Sequence, residues 1–307
     1  MESRIAALEE QRKELARLTL IIITISIITP LILLVKIGGI FGPAIIFAIL
    51  IGFALFFILS AITGHSKRFD EYKTNFKSIF VEEPFRAVFH EVIYDKDQGF
   101  PKELIKETGM MMLGNRYFTN DYVMGHYKEV KFERADVKIQ QHTSTGKQSH
   151  TTTYFNGRWM IFEFNKNFHF DLQIISNGFY YSQKNQSIFT DSNERRHKLE
   201  LEDVNFNEQF SVFAQDDHEA YYILTPAFME VIKDLSHSLD APFMLGFAGN
   251  QLHVAINTKR DAMEPSILTG IDLHDIKQDV QREIDAIINI IDGLDLDRDL
   301  YKINGGK

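Results

Sequence analysis

The densest run of chemically capable side chains is Asp216-Asp217-His218-Glu219. Carboxylates beside an imidazole suit a hard divalent cation or an acid/base pair. In a strand, neighbouring side chains point to opposite faces, so all four converge only in a turn. The stronger reading is a turn that closes a strand at Ala214 and starts a helix, whose N-terminus favours acids. A second polar cluster runs from His142 to His150. It offers two histidines, Lys147 and four Ser/Thr hydroxyls to a phosphate or a partner, or else it is a soluble hairpin tip. The spacing Asp295-x-Asp297-x-Asp299 is that of half a calcium loop. Its sixth position is Leu300 and the closing glutamate is missing, which excludes an EF-hand.

The familiar catalytic patterns are absent. Thr145-Gly146-Lys147 ends like a phosphate-binding loop but lacks the upstream glycine and the strand-to-helix context. There is no G-x-G-x-x-G, G-x-S-x-G or H-E-x-x-H, and the 11 histidines are scattered. The chain has no cysteine, which excludes a disulfide scaffold, a thiol enzyme, a cysteine zinc site and an iron–sulfur protein. No catalytic residue, metal or cofactor is assigned. A net charge of −9 over 307 residues argues against nucleic acid as a partner.

The elements that must carry these residues begin with a hairpin. Leu18 to Val35 is a run of 18 residues without a charge, Lys36 follows, and Ile37 to Ile62 is another 26. As helices, the first run and the part of the second from Ile40 span roughly 27 and 35 Å, against a hydrocarbon core of about 30 Å. Gly38-Gly39 provides the break, Pro43 a first helical turn, and Pro30 a tolerated kink. The acidic leader and long apolar core do not fit a cleaved signal peptide. A re-entrant hairpin stays open, and it too puts both ends on one face. Basic residues number four before the first span, one between the spans and four after the second, so both termini and the main domain are expected in the cytoplasm. Arg12, Lys13, Arg17, Lys67 and Arg68 flank the spans and can meet anionic headgroups. Residues 1–68 carry a net +3 and residues 69–307 a net −12, so the distal part would be repelled by the same lipids.

Residues 1–17 form a helix with Ile5, Leu8, Leu15 and Leu18 on one face. A solvated extension of the first span is favoured over a short coiled-coil contact between copies. Residues 69–307 form one cytoplasmic domain or two subdomains. A helical pattern runs from Arg68 to about Tyr94, divided near Pro84, and a second short helix runs from Pro101 to Gly109. The period then changes to two. Strands are expected over 130–139, through Tyr154 and Phe155 to Phe164, and over 168–175, with turns at 142–150 and at Asn165-Lys166-Asn167. Further strands fall at 210–214, 244–248 and 251–256, the last two joined by a Gly249-Asn250 hairpin. Thr225 caps a helix opened by Pro226. Trp159 and its phenylalanines read as core. The last helix carries a stripe of Ile276, Val280, Ile284, Ile287, Ile288 and Ile291, with Asp272, Asp275, Asp279, Glu283 and Asp285 on its other faces, and stops at Gly293. The fold class is α+β: a two-span helical hairpin followed by a domain with an antiparallel sheet and flanking helices.

Some of these residues come in a familiar order. Phe155-Asn156-Gly157-Arg158 precedes Phe164-Asn165-Lys166-Asn167-Phe168. Then come Leu201-Glu202-Asp203, Phe210-Ser211-Val212-Phe213, Asp216 to Ala220, Leu224 to Met229, Val254-Ala255-Ile256 and Met263-Glu264-Pro265-Ser266. The series, from about Phe69 to Tyr301, resembles a bacterial family of membrane-anchored proteins catalogued as domain of unknown function thirty-one thirty-seven. The resemblance implies an anchor in the bacterial inner membrane and an association with LemA-family membrane proteins. It implies no activity and no catalytic residues. The function expected is a non-enzymatic scaffold or adaptor presenting an acidic domain to a protein partner or to further copies of itself. The alternatives are a membrane-tethered hydrolase around Asp216, Asp217 and His218, or a lipid- or ligand-binding module.

Overall fold

The computed structural model describes residues 2–36, 42–146, 148–179, 196–239, 241–259 and 263–296. The chain divides into two compact units, Met1–Glu83 with Met263–Lys277, and Pro84–Ala262 with Gln278–Lys307.

The first unit is helical. Helix α1 (Glu2–Lys36) runs unbroken through Pro30, and α2 (Gly42–Ile62) returns beside it. Both are long and apolar enough to cross a membrane. Gly52 lets the two backbones touch, because a Cβ there would lie 2.8 Å from the Ser26 carbonyl oxygen. After a left-handed Gly64, α3 (His65–Lys77) continues into one π-helical turn (Ser78–Glu82) and α4 (Glu83–Val88). The wide turn just ahead of Pro84 lets the helix go on past the proline. The sequence pattern carried this helix to about Tyr94, but it ends at Val88 and a strand follows.

The apolar face at the start of α1 is neither solvated nor left for another copy. Leu8 and Leu15 are buried against Tyr72, Phe76, Ile79 and Phe80, with Ile5, Phe69, Ile267, Ile271, Leu273 and Ile276 around them. Polar clasps hold the same packing. Glu264 accepts from Lys73 and Lys77 at 2.8 and 2.7 Å, and Arg12 bonds Glu9 and the Ile267 carbonyl.

The second unit is built on a sheet of seven strands among the described residues, all antiparallel: β1 (His90–Asp95), β2 (Arg116–Tyr127), β3 (Val130–Thr145), β4 (Gln148–Ser176), β5 (His197–Leu199), β6 (Phe210–Ala214) and β7 (Phe243–Ile256). Short helices α5 (Lys102–Glu107), α6 (Val204–Gln209) and α7 (Asp217–Ile223) lie in the connections. Helix α8 (Pro226–Leu239) starts on its Thr225 cap, and α9 (Leu273–Gly293) is the last.

Strand β4 organises the sheet. Its first half pairs with β3 and its end with β6, while β7 pairs along both stretches. Two of the expected turns are therefore absent and a third is narrower. Strand pairing takes up most of residues 142–150, with Thr145 opposite Gln148. Asn165-Lys166-Asn167 lies inside continuous β4, and Gly249-Asn250 lies inside β7. These turn formers serve as bends instead. The β4–β7 register slips between Glu163 and Phe168 and again before Leu172, which is how a ribbon curls. The curl brings the ends of β7 together, and the Asn257 N–H donates to the Pro242 carbonyl at 2.8 Å. The enclosed core holds Ala135, Val137, Ile139, Phe155, Trp159, Ile161, Ile175, Met244 and Ala255, closed by Phe100, Ile105, Met110 and Met111.

Candidate functional site

The residues singled out by type do not assemble. Asp216 caps α7 by accepting from the Glu219 N–H at 2.9 Å, as the turn reading expects. Asp217 is exposed and pairs with His197, and His218 is exposed. His142 bonds the Thr151 hydroxyl at 2.9 Å across the β3–β4 ladder, and His150 is exposed on the facing strand. Lys147, Asp297 and Asp299 lie outside the described residues. Among the described residues no three His, Asp or Glu side chains gather as a metal site needs. Of the flanking basic residues, Lys13, Arg17, Lys67 and Arg68 are exposed, but Arg12 is buried and committed to Glu9 and Ile267.

Two polar arrangements that the sequence reading missed are better built. The first is a buried ionic core. Glu283 of α9 is fully buried rather than on an outer face. It pairs with Arg158 of β4 and, at 3.2 Å, with Arg134 of β3. Arg134 also donates to Asp136 at 2.9 Å and to the Asp121 carbonyl at 3.1 Å, and the Tyr94 hydroxyl donates to the Asp121 carboxylate at 2.6 Å. Burial disfavours the Arg134 charge, but Asp136, Glu283 and Asp121 outweigh it and raise its pKa. Burial, with Asp121 adding to it, pushes the Tyr94 phenol up. Desolvating such groups costs several kcal/mol per ion, so the arrangement fixes where α9 docks more than it adds net stability. The signal was legible: Val280, Glu283, Ile284 and Ile287 are spaced as one helix face, with a carboxylate inside the apolar stripe.

Across the sheet, the Trp159 indole N–H donates to Nδ1 of buried His253 at 3.3 Å. Burial lowers the His253 pKa to about 4, so the ring is neutral near pH 7.

The second arrangement is a recess of about 310 Å³ lined by Lys138, Thr153, Tyr154, Asn156, Gly178, Asn257 and Lys259. It forms where the curled ribbon meets itself. Gly157 makes the crossing possible, since a Cβ there would stand 2.0 Å from the Ile256 carbonyl oxygen. Beyond the crossing, Lys259 adopts φ 60° and its N–H donates to the Asn156 carbonyl at 2.8 Å. The Asn156 N–H donates to Oδ1 of Asn257 at 3.4 Å, and Lys138 stands opposite Asn156 in the β3–β4 ladder.

Comparison with known proteins bears on this same stretch. Residues 153–296 match the family model described as a protein of unknown function, DUF3137. This segment is similar to the DUF3137 family. It begins in β4 and ends just past α9, a shorter span than the 69–301 of the sequence resemblance. The matched segment contains Arg158 and Glu283 of the ionic core and every residue of the recess except Lys138. No curated protein matches the chain. Among solved structures, the mycobacterial trehalose monomycolate transport factor A, TtfA, aligns at 9% identity and a TM-score of 0.35, covering 71% of this chain and 94% of its own.

Proposed function

We propose that this protein is a membrane-anchored scaffold or adaptor of the bacterial inner membrane, with both termini and the main domain in the cytoplasm. The observation that supports it is the construction of the anchor. Helix α1 leaves its apolar span without a break and packs along α3 through Leu8, Leu15, Tyr72 and Phe76, with Glu264 clasped by Lys73 and Lys77. A simple tether needs no such packing, whereas a built mount at the membrane surface does. The hydrolase reading loses its main support, because Asp217 and His218 are exposed and Asp216 is a helix cap.

The cysteine-free chain allows a direct test of topology. Lys36→Cys should react with a membrane-impermeant maleimide on intact cells, and Lys67→Cys only after lysis. Labelling of both from one side would establish a re-entrant hairpin. The adaptor reading is tested by crosslinking the full chain in native membranes. One membrane protein, of the LemA family by the resemblance, should be enriched over background. Recovery of background proteins alone would remove the adaptor reading.

A further inference from the structure

The recess at the ribbon crossing gathers two lysines with amide and hydroxyl groups. Lys138 and Lys259 both line it, both are exposed, and neither forms an ion pair among the described residues. Residues 69–307 carry a net charge of −12, and among the described residues Lys73, Lys77, Lys96, Lys128, Lys131, Lys198 and Lys233 do form ion pairs. Asn257 adds a second, independent observation. It is 5% exposed, and its Oδ1 is occupied by the Asn156 N–H. Its Nδ2 makes no hydrogen bond among the described residues and is not sealed from solvent, so it is open to donate. The Asn156 side chain is likewise without a hydrogen bond among the described residues, and the Thr153 hydroxyl, which accepts from Gln140 at 3.0 Å, keeps its own proton to donate. The carboxylates of the ionic core are engaged there: Asp136 holds Arg134, and Glu283 holds Arg134 and Arg158.

We infer that this recess binds a phosphate group, with Lys138 and Lys259 supplying charge and Asn156, Asn257 and Thr153 supplying directed donors. Two flexible ammonium groups with amide donors suit the several oxygens of a phosphate better than a flat carboxylate, which a guanidinium fork would match. The volume lies at the lower end of small-molecule sites, roughly 300–1,000 Å³, so it takes a phosphate ester or diphosphate rather than a bare ion. The phosphate can belong to a soluble metabolite or to a lipid headgroup, since the donors see the same oxygens in both. The inference concerns ligand binding by the domain and does not depend on the adaptor reading.

The experiment is calorimetric titration of the full chain in neutral detergent with pyrophosphate, and separately with phosphatidylglycerol doped into the same micelles. One saturable site is expected in at least one arm. Lys138→Gln/Lys259→Gln should weaken it at least tenfold, which is about 1.4 kcal/mol. Asn257→Asp keeps the acceptor for Asn156 but turns the donor into a repelling oxygen, and should abolish binding. Lys138→Gln alone lies at an exposed strand position, leaves the fold intact, and should weaken binding measurably. Response to pyrophosphate alone assigns a soluble ligand, response to the doped micelles alone a headgroup, and response to both the shared phosphate. Binding in neither arm, or binding unchanged in the folded variants, would overturn the inference.

Discussion

Two carboxylates each hold a remote stretch of chain in place, and their surroundings differ. Glu264 reaches Lys73 and Lys77 in the helical unit with a third of its side chain still exposed; burial raises its pKa, but the two lysine hydrogen bonds prevail and leave it lowered. Glu283 in the sheet unit meets Arg134 and Arg158 with no exposure at all. Water can replace a lost partner at Glu264 and Lys73 in the first cluster, though not at fully buried Lys77, and can do so at neither Glu283 nor Arg134 in the second. The two should therefore fail differently, the first gradually and with salt dependence, the second abruptly and independently of salt.

The largest effect is expected where the contrast is sharpest. Glu283→Ala leaves two guanidinium groups without their shared carboxylate and should cost about 3–5 kcal/mol in denaturant unfolding of the full chain. The triple replacement Arg134→Met/Glu283→Leu/Arg158→Met should recover most of that loss. If Glu283→Ala were no worse than Glu264→Ala, the distinction between the clusters would be gone.

Next comes His253, held neutral with a pKa of about 4 against an ordinary 6.5. The folded state binds fewer protons, so the stability linked to it is complete above pH 6.5 and declines as pH falls towards 4. The loss should reach about 3 kcal/mol. His253→Gln, which keeps an acceptor for Trp159, should flatten that part of the pH–stability curve; an unchanged slope would show that other groups cause it.

Glu264→Ala should cost about 1–2 kcal/mol, a penalty that shrinks as salt is raised. A salt-independent loss would place Glu264 with the buried class. The smallest effects belong to the acidic run that looked most chemical. Asp216→Ala removes a helix cap and should cost about 1 kcal/mol, whereas Asp217→Ala and His218→Ala should stay within about 0.5 kcal/mol.

Much of the fold was legible because local chemistry and global packing agree. The stripe on α9, the Thr225-Pro226 start of α8, the strand at 210–214 and the two apolar spans all follow from period and capping. The β4 and β7 continuities were hidden because Asn165-Lys166-Asn167 and Gly249-Asn250 are good turn formers, and a bend in a paired ribbon uses the same residues. The cover over Leu8 and Leu15 was hidden because much of it comes from residues 267–276, far along the chain. The ionic core was half legible in the helix spacing of Glu283, but its arginines were not, since alternation in β3 and β4 does not say which face a distant helix will cover. The recess was illegible, because Lys138, Asn156, Asn257 and Lys259 meet only after the ribbon curls.

The route of β4 also sets an order of events. Its partner on one side, β3, is made immediately before it and can pair at once. Its partner on the other side, β7, begins at Phe243, long after β4 ends at Ser176. Until those residues emerge, one edge of a 29-residue strand stands open with apolar side chains on both faces. Open edges of that kind invite pairing with other chains, and closures between distant segments are slow. The vulnerable period in the life of this protein is therefore its synthesis, and a chaperone that shields β4 until β7 arrives would act there.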